Sequence, residues 1–294
     1  MLSLKGIFPP LPTSFDNNED VAIDKIKSNI NDLLKSDLAG ILVLGSNGEL
    51  VMLSEKEKEM VYSAARDEIP VDRLMIAGTG AQSTRETISR TKLAASCGAD
   101  AALVLNPSYY RGQMTTEVLV RHYHTVADSS DIPVIIYNMP ANSGTDMDAD
   151  QILEIASHPN IIGLKDSGGN LVKMASVINR SPGEFQVLAG SASFLLPALS
   201  IGAVGGILAL ANIAPDLCTG IRTAFLDGDM ALAKKLQFKA VEPNTAVTRK
   251  WGIPALKAAM DYLGMYGGPV RKPLLPIDDV IKQKLFPIID ILKP

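Results

Sequence analysis

At 294 residues, with 47% hydrophobic and 20% charged side chains, the chain has the composition of a globular protein, and one barrel of ~250 residues plus an extension fits it better than two unrelated domains. Its net charge of -4 comes with lysines and arginines scattered along the chain, which leaves no electrostatic footprint for a nucleic-acid backbone or an anionic membrane. Only Cys97 and Cys218 are present, without CxxC spacing, and no run reaches ~18 apolar residues, so neither a disulfide framework nor a spanning helix is expected.

The first apolar run is KGIFPP from Lys5, followed by GILVLG from Gly40 and a helix opening at Ser54, whose capping acceptor is Glu57. LMIAGTG from Leu74 leads to a second helix start at Ser83 with Glu86, and AALVLNP from Ala101 follows. His122 and His124 lie in the next helical stretch, where side chains two apart diverge by ~200°. They are read as surface histidines, and no metal site is expected. PVIIYNMP from Pro133 precedes a third helix start, Asp148 with Gln151; IIGLKDSGG from Ile161, QVLAGS from Gln186 and GGILALAN from Gly205 complete the set. Eight short runs rich in Val, Ile and Leu, alternating with helices, predict a parallel (β/α)8 TIM barrel. No GxGxxG or Walker loop competes with that reading.

After Asn212 the strand signals stop. Pro215–Gly228, Met230–Pro243, Trp251–Leu263 and Asp278–Leu292 read as helices. The expected organisation is a catalytic barrel over residues 1–225 and a C-terminal helical extension over residues 226–294, packed on the barrel because no low-complexity linker separates them.

On such a barrel, chemistry assembles where strands end. Lys165 ends the run IIGLK; burial at a barrel mouth disfavours the ammonium form of a lysine and frees a neutral amine to attack a carbonyl. Position alone leaves open an ordinary surface lysine, or one paired with Asp166. Tyr137 ends PVIIY, one strand away, where a phenol can pass protons to and from a tethered substrate, or simply pack. GSNGE, from Gly45, offers a hydroxyl, an amide and closely spaced N–H groups, a plausible carboxylate cradle but also ordinary turn composition.

Taken together and in order, GSNGE, NPSYYRG, IIYNMPANSG, GLKDSGG, VLAGSASF and EPNTAVTRKWGIPALK with YGGP resemble the dihydrodipicolinate synthase and N-acetylneuraminate lyase family. The likeness is closest to its 4-hydroxy-2-oxoglutarate aldolase branch and runs from about Gly6 to Pro273. It implies a barrel with a C-terminal helical bundle, a homotetramer, a small keto-acid substrate, and class I aldolase chemistry in which a covalent Schiff base serves in place of any cofactor. By the same resemblance, Lys165 matches the Schiff-base lysine, Tyr137 the acid/base tyrosine, and Ser46 and Asn47 the pair that binds the keto-acid carboxylate. Ser167 and Gly190 match further substrate contacts, and Ile207 falls near one. Tyr109, a better match than Tyr110, falls on a relay tyrosine that enters a neighbouring subunit's site. Asn142 stands where a synthase carries an arginine that clamps a second carboxylate. A neutral amide cannot reproduce that contact, and specificity rests on loop side chains near Asn142, Ser143 and Ser167.

The activity this implies is cleavage of 4-hydroxy-2-oxoglutarate to pyruvate and glyoxylate. Alternatives are a 2-keto-3-deoxy sugar acid aldolase, a dihydrodipicolinate synthase, and a non-catalytic barrel that binds a keto acid. MLSLKGIFPPLPTSF lacks a secretory h-region and an Arg-rich leader. The cytoplasm is the default compartment, and the mitochondrial matrix the alternative if a leader has been removed.

Overall fold

The computed structural model describes residues 2–293. Eight strands, β1 (Gly6–Phe8), β2 (Gly40–Val43), β3 (Leu74–Gly78), β4 (Ala101–Leu105), β5 (Val134–Asn138), β6 (Ile161–Asp166), β7 (Gln186–Ala189) and β8 (Gly205–Ile207), form one parallel sheet in the order β1-β8-β7-β6-β5-β4-β3-β2. A parallel bridge between Pro10 and Leu42 joins the two ends, with Leu11 N–H donating to Leu42 O at 2.8 Å and Leu42 N–H to Pro9 O at 3.0 Å. The expected (β/α)8 barrel is what forms. Its interior is a packed layer that includes Phe8, Leu42, Ile76, Leu103, Ile135 and Ile207, and the strands are buried on both faces because helices cover the outside.

The helices are α1 (Ile23–Leu33), α2 (Glu55–Glu68), α3 (Thr84–Ser96), α4 (Thr116–Asp128), a short α5 (Pro140–Ser143), α6 (Ala149–Ile155), α7 (Leu171–Arg180), α8 (Leu195–Ser200) and α9 (Pro215–Leu226), then α10 (Met230–Thr245), α11 (Gly252–Tyr262) and α12 (Asp279–Asp290). Ser54 with Glu57 and Asp148 with Gln151 form complete reciprocal capping boxes. At α3 only half of the box forms: Ser83 Oγ accepts from Glu86 N–H, while the Glu86 carboxylate turns to Arg90 Nε at 3.1 Å. A nearby cation outcompetes a backbone N–H for that carboxylate.

α10 was expected to end at Pro243, since proline has no N–H to continue the ladder. It runs on to Thr245 and into a π-helical turn over Ala246–Lys250. Tertiary contacts override the local preference: Pro243 is buried, and Asn244 Nδ2 donates to Ser191 Oγ and Ser193 Oγ, both at 2.8 Å. The extension is thereby fastened to the loop after β7. Among the described residues no helix is long and apolar enough to cross a membrane.

A second departure concerns His122. It is not on the surface but 4% exposed, with Nδ1 2.9 Å from Thr84 Oγ1. Burial holds its imidazole down, at about 4, so this histidine is neutral near pH 7.

Candidate active site

A β-bulge decides which side chains meet at the barrel mouth. β5 and β6 pair Val134 with Ile161, but the register shifts before Ile135, which pairs with Gly163. Without that extra residue Tyr137 would face Leu164. With it, Tyr137 faces Lys165 and Asn138 faces Asp166. Strand side chains alternate between faces, so the one-residue slip is what puts the amine and the phenol on the same, inner face.

Lys165 is 4% exposed, and its Nζ sits 4.2 Å from the centroid of the Tyr137 ring. Asp166 is not its partner. That carboxylate points to the outer face and pairs with Lys173 at 3.0 Å, and among the described residues no carboxylate lies within ion-pair distance of Lys165. The amine lies against the Tyr137 ring and is not engaged by a carboxylate, so it is free to meet a ligand at the barrel mouth.

Tyr137 OH lies 3.4 Å from Ser46 Oγ. Burial pushes this phenol up, but the charge of Lys165 and hydrogen bonds from Ser46, Ser167 and Lys165 outweigh it, and the net direction is downward. The phenolate is therefore more accessible than in an ordinary tyrosine.

Ser46 and Asn47 open a 3-10 turn after β2 in which Gly48 N–H donates to Gly45 O at 3.0 Å and Glu49 N–H to Ser46 O at 3.2 Å. The N–H groups of Ser46 and Asn47 start the turn and lie outside that ladder. Leu44 and Glu49 bracket the segment in left-handed backbone, both at φ 53°, a conformation that costs a non-glycine residue ~1 kcal/mol or more and persists only where surroundings enforce it. For Glu49 the enforcement is visible. Its carboxylate meets Lys257 Nζ at 2.6 Å, both side chains 1% exposed, and accepts from Arg271 N–H at 2.9 Å. The helical extension thus grips the turn that carries Ser46.

A cavity of about 910 Å³ opens over this end of the barrel, and Ser46, Tyr137 and Asn142 are on its wall. Ser167 follows β6 and donates weakly to Gly190 O at 3.5 Å. Gly190 has no room for a side chain, because a Cβ there would lie 2.0 Å from Ser167 Oγ. Ile207 is wholly buried in the barrel's inner layer, and neither it nor Asn47 is on the cavity wall. Ser143 spends its hydroxyl on Met139 O and Thr145 O, each at 3.0 Å, so it shapes the loop and does not face the cavity. Tyr109 is 79% exposed and is not brought to Lys165 within one chain; Tyr110, 70% exposed, touches the cavity rim.

Sequence reading missed Glu49 as an anchor, Arg90 on the cavity wall, and the polar cluster of Asn138, Asp146, Asp166 and Lys173 behind the barrel. Only GSNGE carried a local signal, through its terminal glutamate. The rest depend on pairing across the fold.

The sequence pattern of the dihydrodipicolinate synthetase family matches residues 3–292. A probable mitochondrial 4-hydroxy-2-oxoglutarate aldolase from Emericella nidulans is 39% identical over 273 residues, covering 91% of this chain and 88% of that one. A 4-hydroxy-tetrahydrodipicolinate synthase from Methanothrix thermoacetophila is 34% identical over 284 residues, covering 96% and 94%. Among solved structures, dihydrodipicolinate synthase DapA-2 from Bacillus anthracis superposes with a TM-score of 0.95 at 27% identity, 99% of each chain covered. YagE, a prophage protein of the dihydrodipicolinic acid synthase family from E. coli K12 in complex with pyruvate, gives a TM-score of 0.92 at 30% identity, again over 99% of each chain.

Proposed function

The chain belongs to the dihydrodipicolinate synthetase family, whose members are lyases and aldolases, and we propose that it is a class I aldolase cleaving a 4-hydroxy-2-keto acid, with 4-hydroxy-2-oxoglutarate the substrate that fits best. The observation that carries this reading is the unpaired Lys165 amine held 4.2 Å from the Tyr137 ring at the barrel mouth. Lys165 adds to the C2 keto carbon and water leaves, giving a protonated imine that acts as electron sink. Tyr137 takes the proton from the C4 hydroxyl, the C3–C4 bond breaks, and its electrons pass into an enamine as glyoxylate departs. Protonation at C3 and hydrolysis then release pyruvate and restore the amine. The Schiff base with Lys165 stands in place of a cofactor, Ser46 and the turn around Asn47 receive the keto-acid carboxylate, and the active assembly is a homotetramer.

The 39% identity to a probable 4-hydroxy-2-oxoglutarate aldolase supports this substrate. So does Asn142, a neutral amide on the cavity wall where a bidentate arginine would favour the synthase reaction. A second reading has its own support. Arg90 is the one cation on the cavity wall among the described residues, and it is already bound to Glu55 at 2.9 Å and Glu86 at 3.1 Å. The remaining polar lining, such as Gln82, Ser83 and Ser108, suits the hydroxylated tail of a 2-keto-3-deoxy sugar acid.

Incubation with pyruvate and borohydride should leave one reduced pyruvyl group on Lys165, located by peptide mapping, and none in Lys165→Arg, whose guanidinium stays protonated. Modification at another lysine sinks the Schiff-base reading. Pyruvate release over a panel of 4-hydroxy-2-keto acids then ranks the two aldolase substrates, and condensation of pyruvate with aspartate semialdehyde without any cleavage would return the protein to the synthases.

A further inference from the structure

We propose that Lys257 is a positioning residue: through Glu49 it fixes the turn that receives the keto-acid carboxylate, so that the C-terminal extension takes part in substrate binding. The proposal rests on the reading of the Ser46 turn as the carboxylate site. It begins from two motifs that the reaction itself leaves without a task, IPALK and YGGP. They meet around one amine. Lys257 Nζ lies 2.6 Å from Glu49 Oε1, donates to Pro269 O at 2.8 Å and stands 4.5 Å from the centroid of the Phe15 ring. Gly267 lets the second motif pass close over α11, since a Cβ there would lie 1.9 Å from Lys257 O.

Burial this complete is rare for a lysine and calls for a cause. Stability does not supply one. Taking both charges out of water costs about what their attraction returns, so an apolar pair would fill this space as well. What an apolar pair lacks is direction. The Glu49 carboxylate is a fork, with one oxygen on Lys257 and the other accepting from Arg271 N–H at 2.9 Å. That fork closes on a residue at φ 53°, backbone that a glutamate does not hold unaided.

Two further bonds secure the same segment. Arg271 Nη1 donates to Met52 O at 3.0 Å, just past the turn, and from the opposite side Thr13 Oγ1 donates to Gly48 O at 2.6 Å. The turn is therefore clamped between the loop after β1 and the extension. With Glu49 fixed, the N–H groups of Ser46 and Asn47 keep a single aim before any anion arrives, and donors set in advance need no reorganisation to receive it.

The test is borohydride trapping in the full-length protein with two probes, pyruvate and acetone, which share a ketone but not a carboxylate. In Lys257→Met the half-saturating pyruvate concentration should rise about tenfold, the scale of one misaimed charge-assisted hydrogen bond, while the limiting rate with pyruvate and the rate with acetone stay within about threefold of the parent. A role confined to stability would leave the pyruvate half-saturation of the folded protein unmoved, and general damage at Lys165 would slow both probes together; either result overturns the proposal. If Lys257→Met fails to fold, Glu49→Gln decides. Its amide keeps the shape but turns an NH2 group toward one of two donors, so one arm of the fork is lost. The same rise for pyruvate alone is expected, and an unmoved half-saturation overturns the proposal. A parent protein that traps pyruvate no better than acetone would instead refute the carboxylate reading on which the proposal stands, and absence of trapping at Lys165 the Schiff-base reading.

Discussion

In the proposed mechanism Tyr137 is a base toward the substrate hydroxyl and then an acid toward the enamine, and its surroundings suit both roles. Burial works against its phenolate, while Lys165 and the hydroxyls of Ser46 and Ser167 work for it and prevail. Tyr137→Phe should leave the Schiff base forming but lower turnover by ~10²-fold, the usual scale for a positioned acid/base; turnover near the parent level would remove Tyr137 from that role. Ser46 offers a subtler test, because its Oγ lies 3.4 Å from the phenol and favours the ionised form. Removing it in Ser46→Ala raises the pH needed to form phenolate, so the acid limb of the kcat profile should move to higher pH. A limb that stays in place, with only KM changed, would confine Ser46 to carboxylate binding. The apolar runs IIGLK and PVIIY were enough to place Lys165 and Tyr137 at strand ends, but position alone left a surface lysine and a packed tyrosine open, and only the family resemblance attached roles to them. Ser167 and Gly190 were legible only through the family resemblance, since a Ser or Gly after a strand is ordinary turn chemistry.

Among the elements, α2 shows how one side chain joins distant parts of the chain. Glu57 closes the capping box with Ser54 N–H at 2.8 Å and also takes Arg271 Nη1 at 3.0 Å and Nη2 at 2.5 Å. Arg271 holds its carboxyl at about 2, with burial opposing and Ser54 assisting. A carboxylate lowered in the folded state contributes stability above its unfolded value of ~4.3 and loses it as pH falls through the folded one. Glu57→Gln should therefore be less stable than the parent above pH ~4.5, with the gap closing toward pH ~2. Urea midpoints taken at several pH values check this, and a gap that does not depend on pH would assign the loss to packing. The capping half of this role could be read from the spacing of Ser54 and Glu57. The Arg271 half could not, because it depends on how the extension folds back. The β6 bulge was hidden for a related reason: IIGLKD reads as a continuous buried strand, and only pairing with β5 reveals the extra residue. The eight strands were plain from composition, whereas the end of α10 was misjudged because Asn244 found partners in another loop.

For the molecule as a whole, the cavity rim carries apolar groups that one chain leaves uncovered. Val51 is 83% exposed, and Tyr109 and Tyr110 meet edge to face at 5.0 Å while both point largely to solvent. Exposed aromatic pairs beside a cavity are characteristic of surfaces that another protein covers. We propose that in this tetramer Tyr109 crosses to a neighbouring site as a proton relay; each site would then draw Lys165 and Tyr137 from one chain and Tyr109 from another. Two defects placed on different chains should then complement each other. Tyr109→Phe alone should lose about tenfold in turnover, less than Tyr137→Phe, because a relay is easier to bypass with water than the proton-transferring group itself. Lys165→Arg alone should be inactive. When the two variants are unfolded and reassembled together, some sites combine the intact Lys165 of the Tyr109→Phe chain with the intact Tyr109 of the Lys165→Arg chain. Activity per Lys165-bearing chain should then rise above that of Tyr109→Phe assembled by itself. If mixed assemblies form, as native mass spectrometry of differently tagged chains would establish, and activity per competent chain does not rise, then each site is complete within one chain and Tyr109 has no catalytic part in its neighbour.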